Sequence, residues 1–483
     1  MTAELSAAGV LLPGFEGTEL PEWLRARLSN GLAGVCLFAT NVASPAQLLE
    51  LTDAIRAANP HAVIAMDEEG GDVTRLFQAV GSPYPGAAIL GRLDDLSLTR
   101  EVAERVGVQL RAVGVTLNFA PDADINSSDD NPVIGTRSFG ADPALVARHT
   151  AAWIEALQST GVAASAKHFP GHGDTATDSH LALPVVDLSP AELRSRELVP
   201  FAAAIAAGTE TIMTSHILLP QLDHVPATFS TRILGELLRG ELGFTGVIVS
   251  DALDMRGASG TTGIPDAAVR ALAAGCDLLC IGTANTDAQL GEIEVAIAAS
   301  LSDGRLDPAR LTDALSRVAE LGAAAAQNLS EASVGQPDPE PVFDLDRTIS
   351  AFDVAPGAPA LVEGHLLVQL ETVANIAVGV GSWGAGAAGA SVLPLREGDP
   401  LPVSLPAPGP QLVLIGRDNH RRDWTRAAID AARAHDPRTL VVDMGWPSAD
   451  RRYADVATFG ASRHVGQALL RWLSGARVEG ARS

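Results

Sequence analysis

The feature that most constrains this chain is a rhythm. Up to about residue 283, short apolar, β-branched runs alternate with longer Ala/Leu/Arg-rich stretches. The runs are "AGVLLPGF", "GVCLFAT", "AVIAMDEEGG", "VTLNFAPDAD", "VAASAKHFPGHG", "TIMTSHI", "GVIVSDALDM" and "DLLCIGT". Strands separated by helix-length spacers are βα units, and their strands pair in parallel because each connection can cross back over the sheet. Eight such units fit a (β/α)8 barrel. The spacers carry helix signals. Asp142 is placed to cap a helix over residues 143–160, and Ser189 one over 190–207 that Gly208 stops.

A Pro- and acid-rich stretch, "SEASVGQPDPEPVFD", interrupts the rhythm and reads as a linker. Beyond it, "HLLVQL", "ANIAVGV", "QLVLIGR" and "TLVVDMGW" read as strands, with helices in "TRAAIDAARAH" and "RHVGQALLRWLSG". The division expected is a catalytic barrel over residues 1–335, a linker over 336–355, and a smaller α/β, sandwich-like domain over 356–483 with a mostly parallel sheet. "GVGSWGAG" lacks the strand–GxGxxG–helix order of a nucleotide site and reads as a loop.

Composition narrows the function. A net charge of −24 excludes a general nucleic-acid binder and a docker on anionic membrane. No apolar run is long enough to span a bilayer, and the N-terminus has acids but no basic n-region, so no signal peptide is expected. Cys36, Cys276 and Cys280 lie in apolar segments and read as buried thiols of a cytoplasmic protein.

In the strand-like runs the apolar part comes first and the chemistry last. Asp67, Asp122, Asp124, Lys167, His168, His216 and Asp251 all stand at the end where a barrel enzyme keeps its site. The densest stretch is "KHFPGHGDTATDSH", and its Lys167 is the only lysine of the chain. His168 and His172 have the spacing of a zinc helix, but Pro170 and Gly171 between them deny the helix, so no metal site is expected. His172 reads as a loop brace. Phe169–Pro170 suits a cis bond in a sharp turn. Asp178 lies two residues before His180, so in an extended loop the carboxylate can orient the imidazole and raise its basicity. The same pattern also fits a local brace. Asp251 is the first acid after a very apolar strand, with Asp254 as competitor. A carboxylate nucleophile facing a proton donor is the logic of retaining glycoside hydrolysis, though the donor there is usually a second acid.

These residues resemble glycoside hydrolase family 3, in its β-N-acetylglucosaminidase branch. The stretches carrying the resemblance are "LLPGFEGTELPEWL", "AGVCLFAT", "MDEEGGDVTRL", "IGTRSFGADP", "KHFPGHGDTATDSHLALP" and "SDALDM". More weakly, "VVDMGWP" and "TFGASRHVGQALLRWL" resemble the second domain of two-domain members. The resemblance implies Asp251 as nucleophile, His180 as acid/base and Asp178 as its orienter. It implies sugar contacts from Asp67, Arg75, Arg137, Lys167 and His168. The family often has "EGGR" where this chain has "EGGD", with Asp72, so ion pairs there should differ. At position 167 a compact ammonium suits a narrow barrel mouth that a planar guanidinium would overfill.

The activity expected is cytoplasmic, cofactor-free, retaining exo-β-N-acetylglucosaminidase action on a small carbohydrate: a muropeptide fragment from peptidoglycan recycling, or a chitooligosaccharide. Few aromatics argue for a pocket over an extended platform. Three alternatives stand beside it: phosphorolysis at the same site, a metal-dependent amidohydrolase using His168, His172, His180 and Asp251, and a non-catalytic sugar sensor.

Overall fold

The computed structural model describes residues 6–175, 183–260, 262–331, 342–372, 375, 377–402 and 409–475. The chain forms two compact units. The first comprises Met1–Glu68, Leu96–Ile125 and Ala141–Pro339; the second comprises Glu69–Asp95, Asn126–Gly140 and Glu340–Ser483.

The first unit is a parallel barrel. Its strands are β1 (Leu11–Leu12), β2 (Gly34–Leu37), β3 (Val63–Met66), β4 (Leu117–Asn118), β5 (Ala163–Phe169), β6 (Thr211–Thr214), β7 (Val247–Ser250) and β8 (Leu278–Cys280). Each falls in one of the eight runs read from sequence. They pair in parallel in the order β1-β8-β7-β6-β5-β4-β3-β2. Backbone bonds from Cys36 to Pro13 (2.9 Å) and from Ala33 to Ala8 (3.0 Å) join the two ends of the sheet. The lumen is filled by side chains such as Leu12, Cys36, Ala65, Phe119, Met213, Val249 and Cys280. Burial of this set is what holds the barrel shut. All three cysteines are free and buried.

The helix over Pro143–Ser159 is capped as expected, the Asp142 carboxylate accepting from Leu145 N at 2.7 Å. The single helix expected over 190–207 is instead two, Pro190–Ser195 and Leu198–Ala206. The reason is Pro200. It has no N–H for the carbonyl four residues back and its ring crowds that carbonyl, which belongs to Arg196, the residue where the first helix ends. Ser189 and Glu192 form a reciprocal capping box at the start.

The second unit holds a six-stranded sheet in the order β11-β10-β12-β13-β14-β9. Its strands are β9 (Asp353–Val354), β10 (Leu366–Leu370), β11 (Leu393–Leu395), β12 (Leu412–Gly416), β13 (Leu440–Asp443) and β14 (Val456–Ala457). All pairings are parallel except that of the edge strand β9. The sequence reading needs one correction here. "ANIAVGV" is not a strand: its described residues, Asn375 and 377–380, form loop and turn, and its one glycine, Gly379, has a φ of +73°, which favours a turn. "GVGSWGAG" is loop up to Trp383 and then one short helix, Gly384–Ala387. Trp383, Ile415, Val442, Phe459 and Leu469 pack in one core that also takes in Ala88 and Ile89. No helix among the described residues is long and apolar enough to cross a membrane.

Candidate active site

The carboxyl end of β5 is the most heavily built part of the barrel rim. Its last residues are Lys167, His168 and Phe169, all buried. The Lys167–His168 and Phe169–Pro170 peptides are both cis, the latter as expected from sequence. The Lys167 ammonium donates to Asp67 Oδ1, just past the end of β3, at 2.7 Å. Only 2% of the lysine side chain is exposed, against 18% for Asp67. The lone lysine is thus a nearly buried cation whose charge is met by a more accessible carboxylate.

His168 is held by Asp124. Its Nδ1 lies 2.7 Å from Asp124 Oδ2, and the fully buried acid also accepts from His172 N at 2.7 Å. Asp122 accepts from Asp124 N at 2.9 Å, so the "DAD" turn after β4 is fixed by its own first acid. Fixing Nδ1 orients the ring and leaves Nε2 for another partner. The role of Asp124 as orienter was missed in sequence; its signal is the i, i+2 spacing from Asp122.

Two glycines let the "HFPGHG" loop pack this closely. A Cβ on Gly173 would stand 1.6 Å from Ile125 O. Gly171 has φ +127° and lies against Glu197. His172 is buried, and burial lowers its pKa to about 4. It stays neutral at ordinary pH. Asp122, Asp124 and His168 bring ligand atoms within 4.8 Å of one another, the one such cluster of three among the described residues. Asp124 and His168 spend that closeness on their mutual hydrogen bond.

Asp251 is the first residue after β7 and is partly exposed. Its Oδ1 accepts from Ala252 N at 2.8 Å. The competing Asp254 is drawn toward the loop after β8: its Oδ2 accepts from Thr283 N at 3.3 Å and abuts Gly282. His216, just past β6, bonds Ala252 O through Nε2 at 3.1 Å and Thr228 Oγ1 through Nδ1 at 2.9 Å. It therefore braces the backbone beside Asp251, a role visible in sequence only as another histidine at a strand end. Asp178 and His180 lie outside the described residues.

Arg75 and Arg137 belong to the second unit. The Arg137 guanidinium makes a two-point pair with Glu69, Nε to Oε2 at 2.9 Å and Nη2 to Oε1 at 2.8 Å, both side chains nearly buried. Arg75, also buried, donates to Ala377 O at 3.0 Å. Asp72 accepts from Thr136 Oγ1 and Ala461 N, each at 2.8 Å.

A closed parallel barrel carrying Asp, His and Lys at its strand ends defines the class, that of a barrel enzyme. Residues 16–321 match the family described as "Glycosyl hydrolase family 3 N terminal domain". The chain belongs to glycosyl hydrolase family 3, and by that membership is a glycoside hydrolase. It is 35% identical over 332 residues to beta-hexosaminidase A of Pseudoalteromonas piscicida, a match covering 63% of this chain and 55% of that one. It is 38% identical over 283 residues to a beta-hexosaminidase of Stenotrophomonas maltophilia, covering 56% of this chain and 83% of that one. Among solved structures, a family 3 beta-N-acetylglucosaminidase from Paenibacillus superposes with a TM-score of 0.84 at 28% identity, over 99% of this chain and 97% of that one.

Proposed function

We propose that this protein is a retaining exo-β-N-acetylglucosaminidase acting without metal. The observation that carries the reading is Asp251: a partly exposed carboxylate at the carboxyl end of β7, on a rim that also holds the Lys167–Asp67 and His168–Asp124 pairs. Its oxygen attacks the anomeric carbon as the bond to the leaving oxygen breaks and His180 donates a proton to that oxygen. A water that gives its proton back to His180 then attacks the same carbon and frees Asp251. Asp178 orients His180. Asp67, Lys167 and His168 bind sugar hydroxyls, and the sugar contacts of Arg75 and Arg137 rest on the family resemblance. The names of the relatives support an N-acetylhexosamine as the sugar. A cytoplasmic setting and muropeptide or chitooligosaccharide substrates complete the proposal.

The test is turnover of p-nitrophenyl β-GlcNAc after exhaustive chelation, with and without phosphate, followed by labelling with a 5-fluoro-N-acetylglucosaminyl fluoride. Free GlcNAc as product and label on Asp251 are expected. A GlcNAc 1-phosphate product would replace hydrolysis by phosphorolysis. Label on Asp254, or activity lost on chelation, would falsify the mechanism.

A further inference from the structure

Arg137 sits on a loop of the second unit that runs from Asn126 to Gly140. Asn126 N donates to Gly140 O at 3.0 Å, which closes the loop at its base. The 3-10 helix Gly135–Arg137 lies between those ends, and the rest of the loop is irregular. A loop of this kind needs partners from elsewhere for its carbonyls and for a single fixed shape. It finds them 290 to 292 positions further along the chain, in Arg421.

Arg421 lies in the loop after β12. Its Nη1 donates to Asp130 O at 2.7 Å, and its Nη2 donates to Asp129 O at 3.0 Å and to Asn131 O at 2.6 Å. Three successive carbonyls thus converge on one guanidinium, and bonds to a charged donor are stronger than neutral ones. Trp446, after β13, adds its indole N–H on Asp129 Oδ1 at 3.1 Å. Asn375 adds a third hold, donating through Nδ2 to Val133 O at 3.2 Å. The loop carries this hold on to Arg137. Asn131, whose carbonyl Arg421 takes, accepts on its Oδ1 from Val133 N and Ile134 N, each at 2.9 Å. Ile134 O in turn accepts from Arg137 N at 2.9 Å. Hydrogen bonds therefore link the Arg421 guanidinium to the backbone of Arg137 through one short turn.

We infer that Arg421 is a positioning residue for substrate binding: it fixes the Asn126–Gly140 loop so that Arg137 is presented to the sugar. Holding that loop is then a task of the second sheet, whose strands β12 and β13 end in the residues that grip it. Arg421 lies outside residues 16–321, the stretch that matches the family, so family membership does not assign it this role. That Arg137 touches the sugar rests on the function proposed above; the clamp on the loop does not. The competing account is a surface brace that adds stability and nothing else. It predicts a different kinetic signature, because a brace changes how much enzyme is folded and leaves the affinity of the folded enzyme alone.

The experiment uses the full chain. Arg421→Met keeps the aliphatic stem and removes the fork. It should raise KM for p-nitrophenyl β-GlcNAc about tenfold and leave kcat within about twofold, because a misplaced Arg137 weakens binding of substrate and transition state alike. Arg421→Lys, with three donors for the three carbonyls, should recover most of that loss. Arg137→Gln should also raise KM, and adding Arg421→Met to it should change little more, since the clamp acts through Arg137. Hydrogen exchange at the amides from Val133 to Arg137 should quicken in Arg421→Met while β12 and β13 stay protected. Should Arg421→Met fail to fold, Trp446→Phe carries the same test with a smaller rise in KM. A lower kcat at unchanged KM, or losses that add in full in the double variant, would overturn the inference in favour of a surface brace. Unchanged exchange would overturn the clamp itself. Quickened exchange in a chain whose wild type does not turn over the substrate would uphold the clamp and overturn the function proposed above.

Discussion

Asp251 and Asp443 stand in matching places, at the carboxyl ends of parallel strands, one in each unit. Their surroundings differ. Asp443 is 1% exposed, and its two oxygens accept from Asp418 N and Gly445 N at 2.8 Å and from Asn419 N at 3.0 Å. It shapes the loop after β12 by filling that loop's acceptor demand. Asp251 is partly exposed at the barrel rim, where its Oδ1 takes the N–H of the next residue. The carboxyl end of a parallel strand is thus only an opportunity. An acid whose lone pairs are consumed by backbone donors is structural, and one left accessible can do chemistry.

The sharpest test of that contrast is the same substitution at both positions. Asp251→Asn should lower kcat on the order of a thousandfold or more while the melting temperature stays near wild type, because a carboxamide cannot form the glycosyl ester. Asp443→Asn should do the reverse: activity per folded molecule unchanged, stability lower by about 1–3 kcal/mol, because an amide presents N–H to donors that need acceptors. Measuring kcat and urea midpoints for both checks it. Turnover lost in a folded Asp443→Asn variant would break the comparison.

A smaller effect comes from exchanging cations. Lys167→Arg should lower kcat/KM roughly tenfold or more, since a planar fork must replace a point charge in a site that is 2% exposed. In the second unit Arg433 pairs with Asp455 at 2.9 Å in partly exposed surroundings. Arg433→Lys there should cost less than about 1 kcal/mol and leave kcat/KM alone. Kinetics and thermal melts on the two variants decide between a fitted cation and a replaceable one. Equal, small effects would make the lone lysine an accident of composition.

Much of this architecture was legible in the chain because the barrel is built from what sequence displays directly. Its strands are dense apolar runs, and the residues closing each run fall at one rim. The second unit was harder. β9 and β14 are two residues long, too short for a periodicity, and "ANIAVGV" is apolar without being a strand. The pairs Arg137–Glu69 and Lys167–Asp67 join residues 68 and 100 positions apart, and no local spacing announces such partners. Nor does spacing announce that 69–95 and 126–140 cluster with the second sheet; that grouping depends on packing partners far along the chain. The break at Arg196 was readable, since Pro200 stands in plain view.

The last expected effect is on stability alone and uses a buried acid of the barrel. Glu197 is 1% exposed beneath Gly171, with Arg196 Nε at 2.6 Å from Oε1 and Oε2 without a partner among the described residues. Burial raises its pKa to about 7, against the opposing pull of Arg196 and with Asp124 and Asp174 adding to the rise. The folded state therefore keeps a proton that the unfolded chain releases near the ordinary value of 4.5. Where the native state binds more protons, stability falls as pH rises. The contribution is fully present below about pH 4.5 and is lost as pH climbs toward about 7, with an upper bound on the order of 3 kcal/mol. Glu197→Gln mimics the protonated acid at every pH and removes that slope. Urea midpoints at pH 5 and pH 8 should show wild type losing about 1–3 kcal/mol more than the variant, with kcat/KM at pH 5 unchanged between the two. Parallel curves would mean that Arg196 holds Glu197 ionised throughout. The barrel would then keep a buried carboxylate charged with one guanidinium, where Asp443 has three backbone donors.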